Sequence, residues 1–194
     1  ERPHPGWLPT SHDTVYLCTA DAEGNAVSFI NSLYMGFGSG IVAEGTGILL
    51  QNRGNLFSLD PEHPNCIAPH KRPYHTIIPG MVTHGDELRL CFGVMGGFMQ
   101  PQGQVQVLSN IIDHGMDVQE AIDAPRFNYD QGRRFAIEPY FPSETLNTLQ
   151  EWGHDLDITA LGNFGGGQAI MVDPTSGALL AGSDSRKDGC ALVF

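Results

Sequence analysis

The sequence predicts an α+β fold. Three observations carry this: β-rich runs come in pairs toward both ends of the chain, runs with helical apolar spacing fill the middle, and glycines and prolines punctuate them. With 24 glycines and 13 prolines among 194 residues, many tight turns are expected, as are places where backbone approaches something closely. The first pair, 14–19 and 26–32, flanks Asp21-Ala-Glu-Gly-Asn25, whose Gly24 and Asn25 tolerate the positive φ of a tight turn. Residues 77–82 and 88–94 repeat the pattern around His84-Gly-Asp-Glu87, and 169–172 and 178–181 do so around Asp173-Pro-Thr-Ser-Gly177. Three antiparallel hairpins are expected, in a mainly antiparallel sheet with helices layered on it.

Three helices are legible. Residues 104–113 carry Val105, Leu108, Ile111 and Ile112 along one apolar face, with Gly115 following as the terminator. Asp117-Val-Gln-Glu120 has capping-box form and opens a short helix that Pro125 must stop. The third spans 143–152, with Ser143 as its cap, Leu146 and Leu149 as its packing residues and Gly153 as its end.

Composition narrows the function classes. A chain 41% hydrophobic and 16% charged folds, and is neither disordered nor a coiled coil. No apolar run approaches the 18 residues of a membrane span. Ten Lys and Arg against 22 Asp and Glu leave a net charge of −12, so neither a nucleic-acid nor a membrane partner is expected. Cys18, Cys66, Cys91 and Cys190 lie far apart without a C-x-x-C pair; reduced, buried thiols and a reducing, cytoplasmic compartment are the expectation, with a periplasmic or secreted location left open. His63, His70 and His75 gather in a Pro-rich loop without zinc-site spacing, and none of the glycine clusters is a P-loop, so no metal and no cofactor is expected. Residues 1–10 lack the apolar region of a signal peptide and an initiator Met, which reads as a start inside a longer product.

No G-x-S-x-G elbow and no catalytic-Cys signature is present, and a lone Thr heading a strand is ordinary β propensity. The combination is more specific. Asp13-Thr14 is followed in order by Asp21-Ala-Glu-Gly-Asn-Ala-Val27, Phe37-Gly-Ser-Gly-Ile-Val42, Gly45-Thr-Gly-Ile-Leu-Leu50, Lys71-Arg-Pro73, Gly96-Gly97, Asp123-Ala-Pro-Arg-Phe127 and Ser183-Asp-Ser-Arg186. From Thr14 to the C-terminus this series resembles the small subunit of the gamma-glutamyltransferase family of N-terminal nucleophile hydrolases.

The resemblance implies a four-layer αββα sandwich of which this chain supplies about half, with 1–13 the tail of the large-subunit side and 14–194 the small-subunit catalytic domain. It implies a precursor that cuts itself before Thr14, whose freed α-amine then serves as base for its own hydroxyl. The partner implied is the large subunit of the same precursor, in a heterodimer that can itself pair, acting on a small-molecule amide. An apolar face is expected to be exposed where that subunit is absent. Ser32 matches the position that hydrogen-bonds the nucleophile, and Gly96 and Gly97 match the backbone oxyanion hole. The glycines from 36 to 47 read as scaffolding for the strand that carries Ser32 and Tyr34.

At the substrate positions the chain departs from the family. Where γ-glutamyl-binding members hold the α-amine with an Asn, a Gln and an Asp, this sequence has Tyr34, Arg53 and Leu56; two carboxylate-contacting serines are replaced by His75 and Thr76. An α-ammonium beside Arg53 is repelled, so Arg53 suggests an anionic acyl group without one, such as a glutaryl or oxamate-like half-amide. Gly97-Phe-Met-Gln-Pro-Gln102 looks more like the acylase-like branch. The implied activity is cleavage of γ-glutamyl or related acyl amides. One alternative is an amidohydrolase for dicarboxylic half-amides with little transfer, and another, of a different class, is an unprocessed binding subunit. A chain continuous through Asp13-Thr14 is expected to be an inactive precursor form.

Overall fold

A computed structural model describes residues 12–160 and 163–194. The predicted leader falls outside them, apart from the backbone of residues 12 and 13.

The first hairpin forms as expected. Strand β1 (His12–Ala20) pairs antiparallel with β2 (Ala26–Met35). Its turn closes because Asp21 accepts from the amides of Glu23 and Asn25, both at 2.9 Å, while Gly24 takes φ +86°. The hairpin is a sheet of its own. The other two predicted hairpins, β3 (Gly80–His84) with β4 (Glu87–Met95) and β8 (Gly166–Val172) with β9 (Leu179–Ser183), join through β4 and β8 into one antiparallel sheet of order β3-β4-β8-β9. The sequence reading began the third strand at residue 77, but the strand starts at Gly80 and residues 77–79 lie outside it. Side-chain amides take their backbone groups instead: Gln100 Oε1 accepts from Ile78 N at 3.2 Å, and Gln104 Nε2 donates to Ile78 O.

The pairing is mainly antiparallel, as expected, but the sequence reading did not anticipate a third sheet with one parallel pair. Strands β5 (Phe127–Gln131) and β6 (Arg134–Ile137) form a hairpin, and β7 (Asp155–Ile158) adds parallel to β6. These strands are of four or five residues, too short for a clear alternation.

Helix α1 runs Met99–Ile112, starting five residues before the apolar face that predicted it, because Pro101 fits a first helical turn where no amide is required. Helix α2 (Val118–Asp123) has the predicted capping box, with Asp117 accepting from Glu120 N at 2.8 Å and Glu120 accepting from Asp117 N at 3.0 Å. Helix α3 (Ser143–Glu151) departs from expectation: Pro142 occupies the cap position, Ser143 is the first helical residue, and no side chain caps the end. Leu146 and Leu149 are half-buried rather than core.

The layering follows from β4, which is covered on both faces. Leu90, Phe92 and Val94 point to one side and form the core with Val107 of α1, Val118, Ala121 and Ile122 of α2, and Ala169 of β8. Cys91 and Gly93 point to the other, where Tyr16 of β1 lies against them: a Cβ at Gly93 would come within 2.5 Å of the Tyr16 ring, so only glycine admits the hairpin this closely. Helices, sheet and hairpin thus form three successive layers, and the α+β class holds. On its outer side the hairpin exposes Val15, Leu17, Val27 and Phe29.

Behind the sheet, the Asp123-Ala-Pro-Arg-Phe127 and Ser183-Asp-Ser-Arg186 stretches meet in a charge network. Arg126 Nη2 lies 2.8 Å from Asp184 Oδ2 with both side chains fully buried, and Arg186 reaches Glu138 at 2.6 Å and Asp184 at 3.1 Å. Two cations and two carboxylates cancel, and Arg126 also donates to the carbonyls of Ile122 and Phe164, so the cluster is charge-balanced and links α2, β6 and the end of β9, with Arg126 Nε left without a hydrogen-bond partner among the described residues. Burial pulls the Arg126 guanidinium below its usual value, opposed by Asp184. These two motifs are therefore structural.

The cysteines correct the buried-thiol expectation. All four are free thiols, but only Cys91 is buried, Cys18 and Cys66 are half-buried, and Cys190 is exposed. Among the described residues no three His, Cys, Asp or Glu converge as metal ligands, and no helix is long and apolar enough to cross a membrane.

Candidate active site

Hairpin register places Thr14 directly opposite Ser32, with a shift in pairing between Asp13 and Thr14. The two hydroxyls meet at 2.9 Å. Ser32 Oγ also accepts from Tyr34 N at 2.9 Å, which orients it beside Thr14. That second bond requires β2 to turn back on itself, and Tyr34, with a large side chain, takes φ +77°. Such a conformation costs about 1–3 kcal/mol and persists only where its surroundings hold it.

Packed against Tyr34 is Arg53, from the short 3-10 turn Arg53–Leu56 that ends the glycine-rich loop. The loop returns to β2 through Asn52 N donating to Leu33 O at 3.1 Å, which matches the scaffolding expectation. The Arg53 guanidinium sits 5.0 Å above the Tyr34 ring and donates to Thr76 Oγ1 at 3.2 Å. Tyr34 and Arg53 are each 6% exposed and Thr76 is 1% exposed. Burial lowers the guanidinium's pKa, partly opposed by Tyr34, yet an arginine stays charged. It makes no ion pair with any described carboxylate.

Arg53 opens onto a cleft of about 430 Å³ lined by Ile30, Gln51, Arg72, His75 and Ile77. Ile30 lies two residues before Ser32 on the same face of β2, which puts the cleft beside the hydroxyl pair. Thr14, Ser32, Tyr34, Arg53, Thr76 and His75 thus form one continuous patch. Leu56 is half-buried, its carbonyl accepting from Asn65 Nδ2 at 2.6 Å.

Gly96 and Gly97 follow the end of β4 with φ of +128° and +61°. Gly96 O accepts from Asn163 Nδ2 at 2.9 Å and Gly97 O from Gln100 N at 3.0 Å, leaving both amide N–H groups outside the backbone hydrogen bonds of the described residues. Their relation to Thr14 follows from how β1 crosses β4. Tyr16 Oη lies 3.9 Å from Cys91 Sγ and the Tyr16 ring packs on Gly93; two residues further back on the same face of β1, Thr14 is directed toward the Met95–Gly96 end of β4.

Sequence reading assigned no role to Gln51 or Arg72, which line the cleft, nor to Asn163, which anchors Gly96. Arg72 had a signal in Lys71-Arg-Pro73; the other two had none, because their neighbours are distant in the chain.

A hydroxyl pair at a strand bulge, a glycine turn whose amides make no backbone hydrogen bond among the described residues and an adjacent cationic cleft are the parts of an acyl-transfer site. Comparison with known proteins agrees in kind. The family model for gamma-glutamyltranspeptidase matches residues 2–194, and the chain belongs to that family. It is 41% identical over 193 residues to the glutathione hydrolase-like YwrD proenzyme of Bacillus subtilis, covering 95% of this chain and 36% of that protein. It is 38% identical over 194 residues to the oxamate amidohydrolase proenzyme of Klebsiella pneumoniae, covering 94% and 36%. The chain therefore spans about a third of the curated relatives it matches. Among solved structures, cephalosporin acylase from Bacillus halodurans superposes with a TM-score of 0.86 at 53% identity, covering 90% of this chain and 33% of that one. A gamma-glutamyltranspeptidase chain from Pseudomonas nitroreducens gives 0.79 at 30% identity, covering 95% and 100%.

Proposed function

We propose that this chain is the catalytic part of an autoprocessed amide hydrolase and acyltransferase acting on γ-glutamyl or related acyl amides, with Thr14 as nucleophile. The observation that carries the reading is the 2.9 Å contact of Thr14 Oγ1 with Ser32 Oγ at a break in strand register. In the continuous chain, Thr14 Oγ attacks the Asp13 carbonyl; the C–N bond breaks as an ester forms, the nitrogen takes the hydroxyl proton and becomes the free α-amine, and water then hydrolyses the ester, releasing the Asp13 carboxylate and restoring the Thr14 hydroxyl. Before that shift the nitrogen is an amide and cannot act as a base. Once free, with an ordinary pKa near 7.7–8.0, the amine takes the hydroxyl proton as Oγ attacks the substrate carbonyl. The amides of Gly96 and Gly97 receive the developing oxyanion, the leaving amine departs with the proton, and water or an acceptor amine takes the acyl group.

On this reading, residues 1–13 close the large-subunit segment and 14–194 form the small subunit. The exposed Val15, Leu17, Val27 and Phe29 face is where the rest of the precursor packs. Names of relatives support it: three of the four similar proteins compared carry hydrolase or acylase in theirs, and the two curated ones are proenzymes.

A mass spectrum of the full-length product tests the reading. Two fragments are expected, the smaller beginning at Thr14; a product that stays whole on prolonged incubation supports an unprocessed binding subunit instead. Gly96→Ala is expected to lower turnover by about 10²–10³-fold, because φ +128° and the Gly165 Cα 3.0 Å from the added methyl force the amide off its line. Steady-state rates alongside a melting curve check this.

A further inference from the structure

Residues 75–79 lead into β3 without belonging to a strand, and α1 supplies what a strand partner would. Within an antiparallel sheet a residue gives both its N–H and its C=O to one neighbour. At Ile78 two side chains of α1 meet these groups: Gln100 Oε1 accepts from the amide at 3.2 Å, and Gln104 Nε2 donates to the carbonyl. Four residues apart, the two glutamines stack on one face of the helix, and both are buried. Gln100 Nε2 is buried without a hydrogen-bond partner among the described residues, which is costly for an amide. An apolar side chain of similar size would fill the place without stranding a donor, so packing alone does not account for a glutamine there.

Both ends of this contact reach the proposed site. His75, Ile77 and Pro79, every second residue of the segment that Ile78 anchors, line the cleft beside Thr14. Helix α1 begins where the glycine turn ends, with Met99 N donating to Gly96 O at 3.1 Å and Gln100 N donating to Gly97 O at 3.0 Å. Gln100 therefore holds the glycine turn through its backbone and the cleft wall through its side chain.

We infer that Gln100 and Gln104 are positioning residues, a clasp that keeps the wall formed by residues 75–79 and the amides of Gly96 and Gly97 in one rigid frame. The inference rests on the proposed role of Thr14 and goes beyond it, since neither glutamine touches the reacting atoms. A substrate seated against a fixed wall meets the nucleophile and the glycine amides together. The wall holds that substrate alike before and during reaction, so releasing the clasp weakens binding and raises KM. The glycine turn, whose own bonds are main-chain, keeps its geometry and with it kcat.

The test uses the full-length protein with Gln100→Met, Gln104→Met and the conservative Gln100→Glu, which keeps an acceptor for Ile78 N. Hydrogen exchange at the Ile78 amide reads the clasp directly, and steady-state rates on γ-glutamyl and glutaryl p-nitroanilides read its consequence. Gln100→Met is expected to speed that exchange and to raise KM by about 5- to 10-fold each, the range for one hydrogen bond, with kcat held within about twofold. Its melting midpoint is expected to stay within about 2 °C of the unsubstituted protein, since the stranded Nε2 donor leaves together with the bond. Gln104→Met, which frees the carbonyl, is expected to raise KM alike, and Gln100→Glu to retain most of the binding. A lowered melting midpoint with KM unchanged in both Met variants makes the glutamines structural only and overturns the inference, as does exchange at Ile78 that Gln100→Met leaves unaltered. Should Gln100→Met fail to fold, Gln104→Met carries the KM readout and Gln100→Glu the exchange. Where the unsubstituted protein turns over neither anilide, the proposed reaction fails while exchange still decides the clasp: faster exchange in Gln100→Met sustains it, and unchanged exchange overturns it.

Discussion

Thr14→Ala is expected to stop both scission of the Asp13–Thr14 bond and amide turnover in the full-length protein. The two losses share one cause, since the same hydroxyl attacks the chain's own carbonyl first and the substrate's afterwards. Removing it takes away the 2.9 Å contact between Thr14 Oγ1 and Ser32 Oγ. By analogy with nucleophile removal in other acyl-transfer sites, turnover should fall by about 10⁴-fold or more. Thr14→Ser, which keeps the hydroxyl, should still cut and still turn over, at a reduced rate because the freer serine rotamer is less well held. A denaturing gel and an initial-rate assay on the two variants suffice. Turnover surviving in Thr14→Ala would move the nucleophile elsewhere.

The second large effect is on stability. Asp184→Ala is expected to destabilise the protein by about 3–5 kcal/mol, because it leaves Arg126 as an uncompensated charge in a buried site. The carboxylate does three things at once: it pairs with Arg126 at 2.8 Å, pairs with Arg186 at 3.1 Å, and accepts from Gly167 N at 2.7 Å. Losing it therefore loosens β8 as well as the network. Urea denaturation followed by fluorescence reads the change. Replacing both partners with apolar residues should cost less than the single change, since no charge is then stranded. A loss below about 1 kcal/mol for Asp184→Ala would mean that water reaches Arg126.

How much of this was legible in the sequence differs between elements for physical reasons. The hairpin of β1 and β2 could be read because a five-residue turn and a period of two set the register, and register alone brings Thr14 opposite Ser32. The capping box at Asp117 was legible for the same reason: its partners are three residues apart. The sheet of β5, β6 and β7 was not, although Gly132 between two short apolar runs marked its turn, because β7 joins β6 across the whole of α3 and no local pattern announces a parallel partner. Ser143 was misread as a cap because Pro142 has the extended geometry that an N-cap needs.

The candidate site divides along the same line. By itself the sequence determined the α+β class, the hydroxyl pair and the glycines at the end of β4, all of which follow from short-range periodicity or from ordered motifs along the chain. Only the tertiary structure decided that Arg53 lies over Tyr34 and against Thr76, that Arg72 and His75 share its cleft, and that the two Asp/Arg motifs form a buried structural network. These contacts join residues 19 to 58 positions apart through packing and charge, and propensity acts only over the few residues that neighbour one another in the chain.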